Sequence, residues 1–232
     1  MERIKPVVNE IYHIYNRGVE KRKIFLNEED YLRFIHNLFE FNDEAPALNL
    51  AYYLKQSKEV GLPKIERSAR KLLVELMVFC LMPNHFHLIM KQKRDCGVTE
   101  FMRKLGTGYT NYFNQKYKRV GPLFQGKYKL VRITTDSHFI HLPYYIHLNP
   151  LELESPKWKN KEIKNYKVAM KFLENYKWSS FSDYVGKKNF PSVTQREFLM
   201  RFFSGPENYK KETVQWLKEM DSEEFKEFTL EN

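Results

Sequence analysis

The chain has 232 residues, with 39 lysines and arginines against 29 aspartates and glutamates for a formal net charge of +10, and 16% of it is aromatic. That length suits one large domain with an appendage, and so aromatic a chain buries enough apolar surface to fold unaided, which excludes general disorder. Only two cysteines, Cys80 and Cys96, exclude a disulfide scaffold; no apolar run approaches the ~18–20 residues that span a bilayer, and without an apolar secretion signal at the N-terminus the expected protein is soluble and cytoplasmic.

Residues 8–16 (VNEIYHIYN) are rich in β-formers and predict a strand, closed by a turn at Asn16-Arg17-Gly18. Asn27 reads as an N-cap, with Glu28, Glu29 and Asp30 in the first turn, where the helix dipole favours them. Tyr31, Phe34, Ile35, Leu38 and Phe39 follow at helical spacing. The pattern then lapses, which predicts an insertion at about 43–72 with a short helix around Leu48–Lys55. Residues 73–82 form an apolar run of strand length, Pro83-Asn84 interrupts it, and 85–91 resumes as a second strand. Thr99 predicts the cap of a helix over about 100–117, and Gly121-Pro122 ends that region. Residues 127–133 (KYKLVRI) read as a strand; Thr135 or Asp136 caps a helix over 137–148, which Pro150 stops. Strand, helix, strand, strand, helix, strand is the split βαβ, or ferredoxin-like, order: an α+β fold with one sheet and helices on one face. A lysine-rich stretch follows to about Asn165, and 166–232 read as helices around an aromatic turn, KWSSFSDYVG.

The basic excess has a location. From Phe101 to Thr135 there is no Asp or Glu, while Arg103, Lys104, Arg119, Lys127, Lys129 and three further cations alternate with seven tyrosines and phenylalanines. Cations interleaved with aromatics suit a polyanion whose bases can stack, which points to single-stranded nucleic acid. A solvated helix face over an aromatic core stripe gives the same pattern. Gly121 to Lys129 reads as a turn leading into a strand; within it Gln125, Lys127 and Lys129, together with Arg17 of the first turn, are candidates for contacting DNA.

Two constellations can carry chemistry. His85-Phe86-His87 lies on a strand, so period two sends both imidazoles to one face, where they can reach one divalent ion. Alone, such a pair is more often structural. Tyr145 and Asn149 are four apart on a helix and share a side. The amide oxygen can ligate Mg²⁺ or Mn²⁺, and a tyrosine beside a metal can act as a nucleophile. The plainer alternative makes Tyr145 a packing residue and Asn149 a C-cap. Tyr144, about 100° round the helix, is expected in the core. His147 is expected to pack or face solvent, His141 could assist proton removal, and strand parity leaves His13 undecided between site and solvent.

Five segments in order carry a resemblance: YHIYNRGVEKRKIF (12–25), LMPNHFHLIM (81–90), the spaced aromatics from Phe101 to GPLFQGKYK (121–129), YYIHLNP (144–150) and YKWSSFSDYVG (176–186). Over roughly residues 8–186 the chain resembles the REP-associated tyrosine transposases of the single-tyrosine HUH superfamily. The resemblance implies a nuclease domain over 1–186, with 187–232 as a helical extension. It further implies an enzyme that cuts and rejoins single-stranded DNA beside hairpins through a 5′-phosphotyrosine link. His85, His87 and Asn149 would be the metal ligands, with Mg²⁺ or Mn²⁺ as cofactor. Tyr145 would be the nucleophile, and the protein a monomer or homodimer acting on the nucleoid. A hairpin-binding regulator that keeps the fold without catalysis is the alternative.

Overall fold

The computed structural model describes residues 5–46 and 69–219. Four strands, β1 (Ile11–Arg17), β2 (Val74–Met82), β3 (His85–Gln92) and β4 (Lys129–Arg132), form one antiparallel sheet in the order β2-β3-β1-β4. Helix α1 (Glu28–Glu40) joins β1 to β2, and α2 (Gly97–Lys116) joins β3 to β4. Chain order and strand order are together those of the split βαβ fold.

Register sorts the side chains. Tyr15 lies opposite His87 and Arg17 opposite His85, so the odd-numbered residues of both strands share a face. The even-numbered Tyr12, Ile14, Phe86, Leu88 and Met90 point the other way and pack with Phe34 and Leu38 of α1 and Phe101, Leu105 and Tyr109 of α2. The expectation of helices on one face holds for α1 and α2 only. The second face is covered by α3 (Asp136–Leu148), followed by α4 (Leu151–Glu154), α5 (Tyr166–Asn175), α6 (Phe181–Tyr184), α7 (Glu197–Phe202) and α8 (Pro206–Glu219). The reason is apolar area. Val78, Cys80 and Met82 of β2 and Ile89 of β3 face that side and need cover, which Tyr145, Ile146 and Leu148 supply. Residues Leu142 to Leu148 of α3 are all buried, because the helix lies between the sheet and Phe203, Tyr209 and Trp216.

Several boundaries move for identifiable reasons. Asn16 and Arg17 are not a turn; they pair with Phe86 and His85 and extend β1. The turn falls at Gly18, where a Cβ would stand 2.2 Å from the Arg22 carbonyl oxygen. Asn27 caps α1 as expected, in a reciprocal box with Asp30. Thr99 does not cap α2: the helix starts at Gly97, and the Gln92 side chain accepts from the Val98 N–H. α3 ends at Leu148 as expected, and Asn149 and Pro150 both stay in the right-handed helical region, so the single turn α4 follows directly. The helix expected around Leu48–Lys55 lies outside the described residues. The flanks of that insertion meet: Glu44 N–H donates to Lys71 O, and Asn42 exchanges two hydrogen bonds with the Val74 backbone. Trp178-Ser179-Ser180, within the aromatic turn, bonds to the edge of β2 through Leu81, Phe79 and Cys80.

Candidate active site

The two-residue turn Pro83-Asn84 sets His85 at the start of β3, and β1's exit clamps that turn. Gly18 N–H donates to Asn84 O, and the Ile24 and Phe25 N–H groups donate to Pro83 O. The Asn84 side chain donates through Nδ2 to Lys21 O, and its Oδ1 accepts from His85 Nδ1 at 2.7 Å. His87 follows two residues on, its ring 5.1 Å from that of His85 and nearly perpendicular to it. The strand neighbour brings two more groups to the same face. His13 Nε2 is 2.9 Å from His87 Nδ1, and the Tyr15 ring lies 5.8 Å from the His87 ring. His13 therefore faces the site, the point that parity left open.

Helix α3 crosses this face and presents Tyr145 edge-on to His87, centroids 6.0 Å apart. One turn later Asn149 donates through Nδ2 to Tyr145 O at 2.9 Å, while its Oδ1 is buried and accepts no hydrogen bond among the described residues. His85, His87, Tyr145 and Asn149 thus come from two adjacent elements of one chain. Tyr145 is 0% exposed, with Lys159 Nζ over its ring at 5.7 Å. Among the described residues no group of three or more His, Cys, Asp or Glu could hold a metal ion. A cation here would need the Asn149 amide oxygen in addition to the two imidazoles, a donor set that suits Mn²⁺ or Mg²⁺ better than a structural zinc.

The neighbouring histidines and tyrosines have structural work. His147 is buried; it hydrogen bonds to the Tyr209 hydroxyl and Ser180 Oγ, and burial pushes it down to about 3, so it stays neutral. Tyr144 donates to Glu212 at 2.6 Å, and burial raises its hydroxyl. The His141 ring stacks on Trp216, 6.1 Å away, and lines a groove with Tyr144 and Glu212. Burial likewise raises the Cys80 thiol, which makes it an inert core group.

A cleft of about 590 Å³ opens beside His85. Arg17, Lys21, Lys23 and Lys129 line it with Asn16, Asn84 and Gln125. Arg17 Nε donates to Gln125 Oε1 at 2.7 Å, and Gln125 N–H donates back to Arg17 O. The loop ahead of β4 is thereby tied to the end of β1. A second cleft, about 620 Å³, lies between α2 and that loop; Arg103 and Lys127 line it with Phe86, Phe124 and Tyr128, and Asn16 borders both. Arg17, Gln125, Lys129, Arg103 and Lys127 are thus brought to two adjoining clefts. Lys104 and Arg119 line neither. Lys104 donates to the Asp43 and Ala45 carbonyls and pairs with Glu100, and Arg119 donates to Asn114. Lys21, Lys23 and Asn84 were missed in the sequence, because only the folded turn carries them to the histidines.

No helix among the described residues is long and apolar enough to cross a membrane. A solved REP-associated tyrosine transposase bound to a REP hairpin is 14% identical to this chain, covering 83% of this chain and 89% of its own, with a TM-score of 0.47. No curated protein matches. Residues 51–149 match the IS200-like transposase model. That stretch carries His85, His87, Tyr145 and Asn149, and over it the chain is similar to the IS200-like transposases.

Proposed function

We propose that this chain cuts and rejoins single-stranded DNA beside a hairpin, with Tyr145 as the nucleophile. The observation that supports this most is the crossing of α3 over the histidine face, with Tyr145 edge-on to His87 at 6.0 Å. In the proposed step, Tyr145 Oη gives up its proton and bonds to phosphorus as the P–O3′ bond breaks. The 3′ oxygen leaves with a proton, and the strand's 5′ phosphate stays on the enzyme. The phosphodiester energy is kept in that link, so a 3′-OH can reverse the attack and join the strand to a new end.

His85, His87 and Asn149 Oδ1 would hold Mg²⁺ or Mn²⁺, and the buried amide oxygen, without a hydrogen bond among the described residues, fits that role. A divalent ion there supplies neutralisation of charge developing on the phosphoryl oxygens. The cleft cations Arg17, Lys21, Lys23 and Lys129 would hold the flanking backbone, with Gln125 and the adjoining Arg103 and Lys127. The hairpin comes from the motif resemblance. Action on chromosomal DNA would put the chain in the cytoplasm, at the nucleoid.

A hairpin-binding regulator without catalysis is the second reading. The full burial of Tyr145 favours it, since attack requires the hydroxyl to be uncovered. Covalent trapping separates the two. Labelled hairpin oligonucleotides from DNA beside the gene are incubated with protein and Mn²⁺ or Mg²⁺, then run on a denaturing gel. The expected result is a 5′-linked adduct that needs metal and disappears in Tyr145→Phe. Tight binding with no adduct under either metal selects the regulator.

A further inference from the structure

We propose that Asn84 and His13 are positioning residues that fix the tautomers of His85 and His87, leaving Nε2 of each imidazole as the metal-ligating atom; this rests on the metal site proposed above. A neutral imidazole carries one N–H and one lone pair, and only the lone pair can bind a cation. Each histidine has its Nδ1 occupied by a protein partner, and the chemistry of that partner decides where the proton sits.

For His85 the assignment is direct. Asn84 Nδ2 is committed to Lys21 O at 3.3 Å, which turns Oδ1 toward the ring. A carbonyl oxygen can only accept, so His85 Nδ1 carries the hydrogen and Nε2 the lone pair. For His87 the partner is another imidazole, His13 Nε2 at 2.9 Å, and two directions are open. If His13 donates, His87 Nδ1 accepts, and its proton moves to Nε2, so neither nitrogen can ligate. If His87 Nδ1–H donates, His13 is the Nδ1–H tautomer and His87 Nε2 holds a lone pair. Only the second direction is compatible with a ligand. Both rings are buried, at 3% and 0% exposure, so water does not readily take the place of either ring in this hydrogen bond. Tyr15 lies against both, with ring centroids 5.1 Å from His13 and 5.8 Å from His87, and restricts their rotation. Ligating histidines generally donate their second N–H to such a partner.

The test has two arms. Long-range ¹H–¹⁵N correlation on the labelled, metal-free full chain reads the tautomers directly. Protons on Nδ1 of both His85 and His87 are expected, and a proton on Nε2 of His87 overturns the proposal. Mn²⁺ titration by calorimetry forms the second arm. His13→Phe should weaken Mn²⁺ binding by about 10–100-fold, while His13→Gln, whose side-chain oxygen can accept, should restore much of it. Asn84→Ala and Asn84→Asp should behave as the matching pair for His85. Wild-type affinity in His13→Phe overturns the proposal; should that variant not fold, the spectrum of the wild-type chain decides alone. Unchanged Mn²⁺ affinity in His85→Ala sinks the metal reading itself, a failure told apart because the tautomers are read without metal.

Discussion

Asn149 has one side-chain atom in the helix and one set aside. Its Nδ2 closes the last turn of α3 on Tyr145 O, while Oδ1 is buried without an acceptor's usual hydrogen bond among the described residues. A buried carbonyl left this way costs about 1–3 kcal/mol, a cost that stability alone does not explain. Asn149→Ala should therefore change the thermal midpoint by no more than a few degrees, because losing the Nδ2 bond is offset by removing the stranded oxygen. It should nonetheless lower Mn²⁺ affinity at least about tenfold. A melting curve and a calorimetric titration on the same preparation check both halves, and a large fall in stability with unchanged metal affinity would make Asn149 a plain C-cap. Its pairing with Tyr145 was legible in the sequence, because helical spacing is a local property. The same holds for His85 and His87 on a strand. His13 was not legible as their partner: its side of β1 matters only through a register set by residues 74 positions away.

At the scale of elements, one buried carboxylate ties α1 to α2. Asp30 is 0% exposed and accepts from the Leu26 and Asn27 N–H groups at the helix start, from Tyr112 and Tyr117, and from Lys116. Burial raises its pKa, but the bonds from Lys116, the Leu26 N–H, Tyr117 and Tyr112 outweigh that, and the net shift is downward. A carboxylate depressed in the folded state contributes stability in full above its unfolded value of ~3.9 and loses it as pH falls through the folded value. Asp30→Asn should thus be less stable than wild type at neutral pH, by on the order of 3 kcal/mol. The gap should close in acid, where the wild-type carboxyl is also neutral. Urea unfolding of both proteins across pH tests the sign, and a gap that is constant with pH would remove the ion pair from the account. The cap itself was readable from Asn27 and the acidic first turn. The anchoring of Lys116 was not, since in the sequence that lysine belongs to an acid-free run that reads as nucleic-acid surface.

The whole molecule separates cations that are tied to protein from cations that line the clefts, a distinction that net charge hides. Element order predicted the split βαβ sheet, because alternating strand and helix patterns are written locally. The cover on the second face was harder to see: α3 is buried all round from Leu142 to Leu148, and only the positions of β2 and of the C-terminal aromatics show why. Charge follows the same logic. Lys129 and Lys23 line the cleft next to His85, whereas Lys104, from the same basic stretch as Lys129, spends its ammonium on the Asp43 and Ala45 carbonyls and on Glu100. A cation that neutralises a phosphate of single-stranded DNA releases counterions, and each such contact adds about 0.7 to the slope of log affinity against log salt. Lys129→Ala and Lys23→Ala should each reduce the magnitude of that slope by about 0.7. Lys104→Ala should leave it unchanged, although all three substitutions remove one positive charge. Fluorescence anisotropy with a hairpin carrying a single-stranded flank, titrated over a series of salt concentrations, measures the slopes. Equal slope changes in all three variants would mean that overall charge, rather than the cleft, holds the strand.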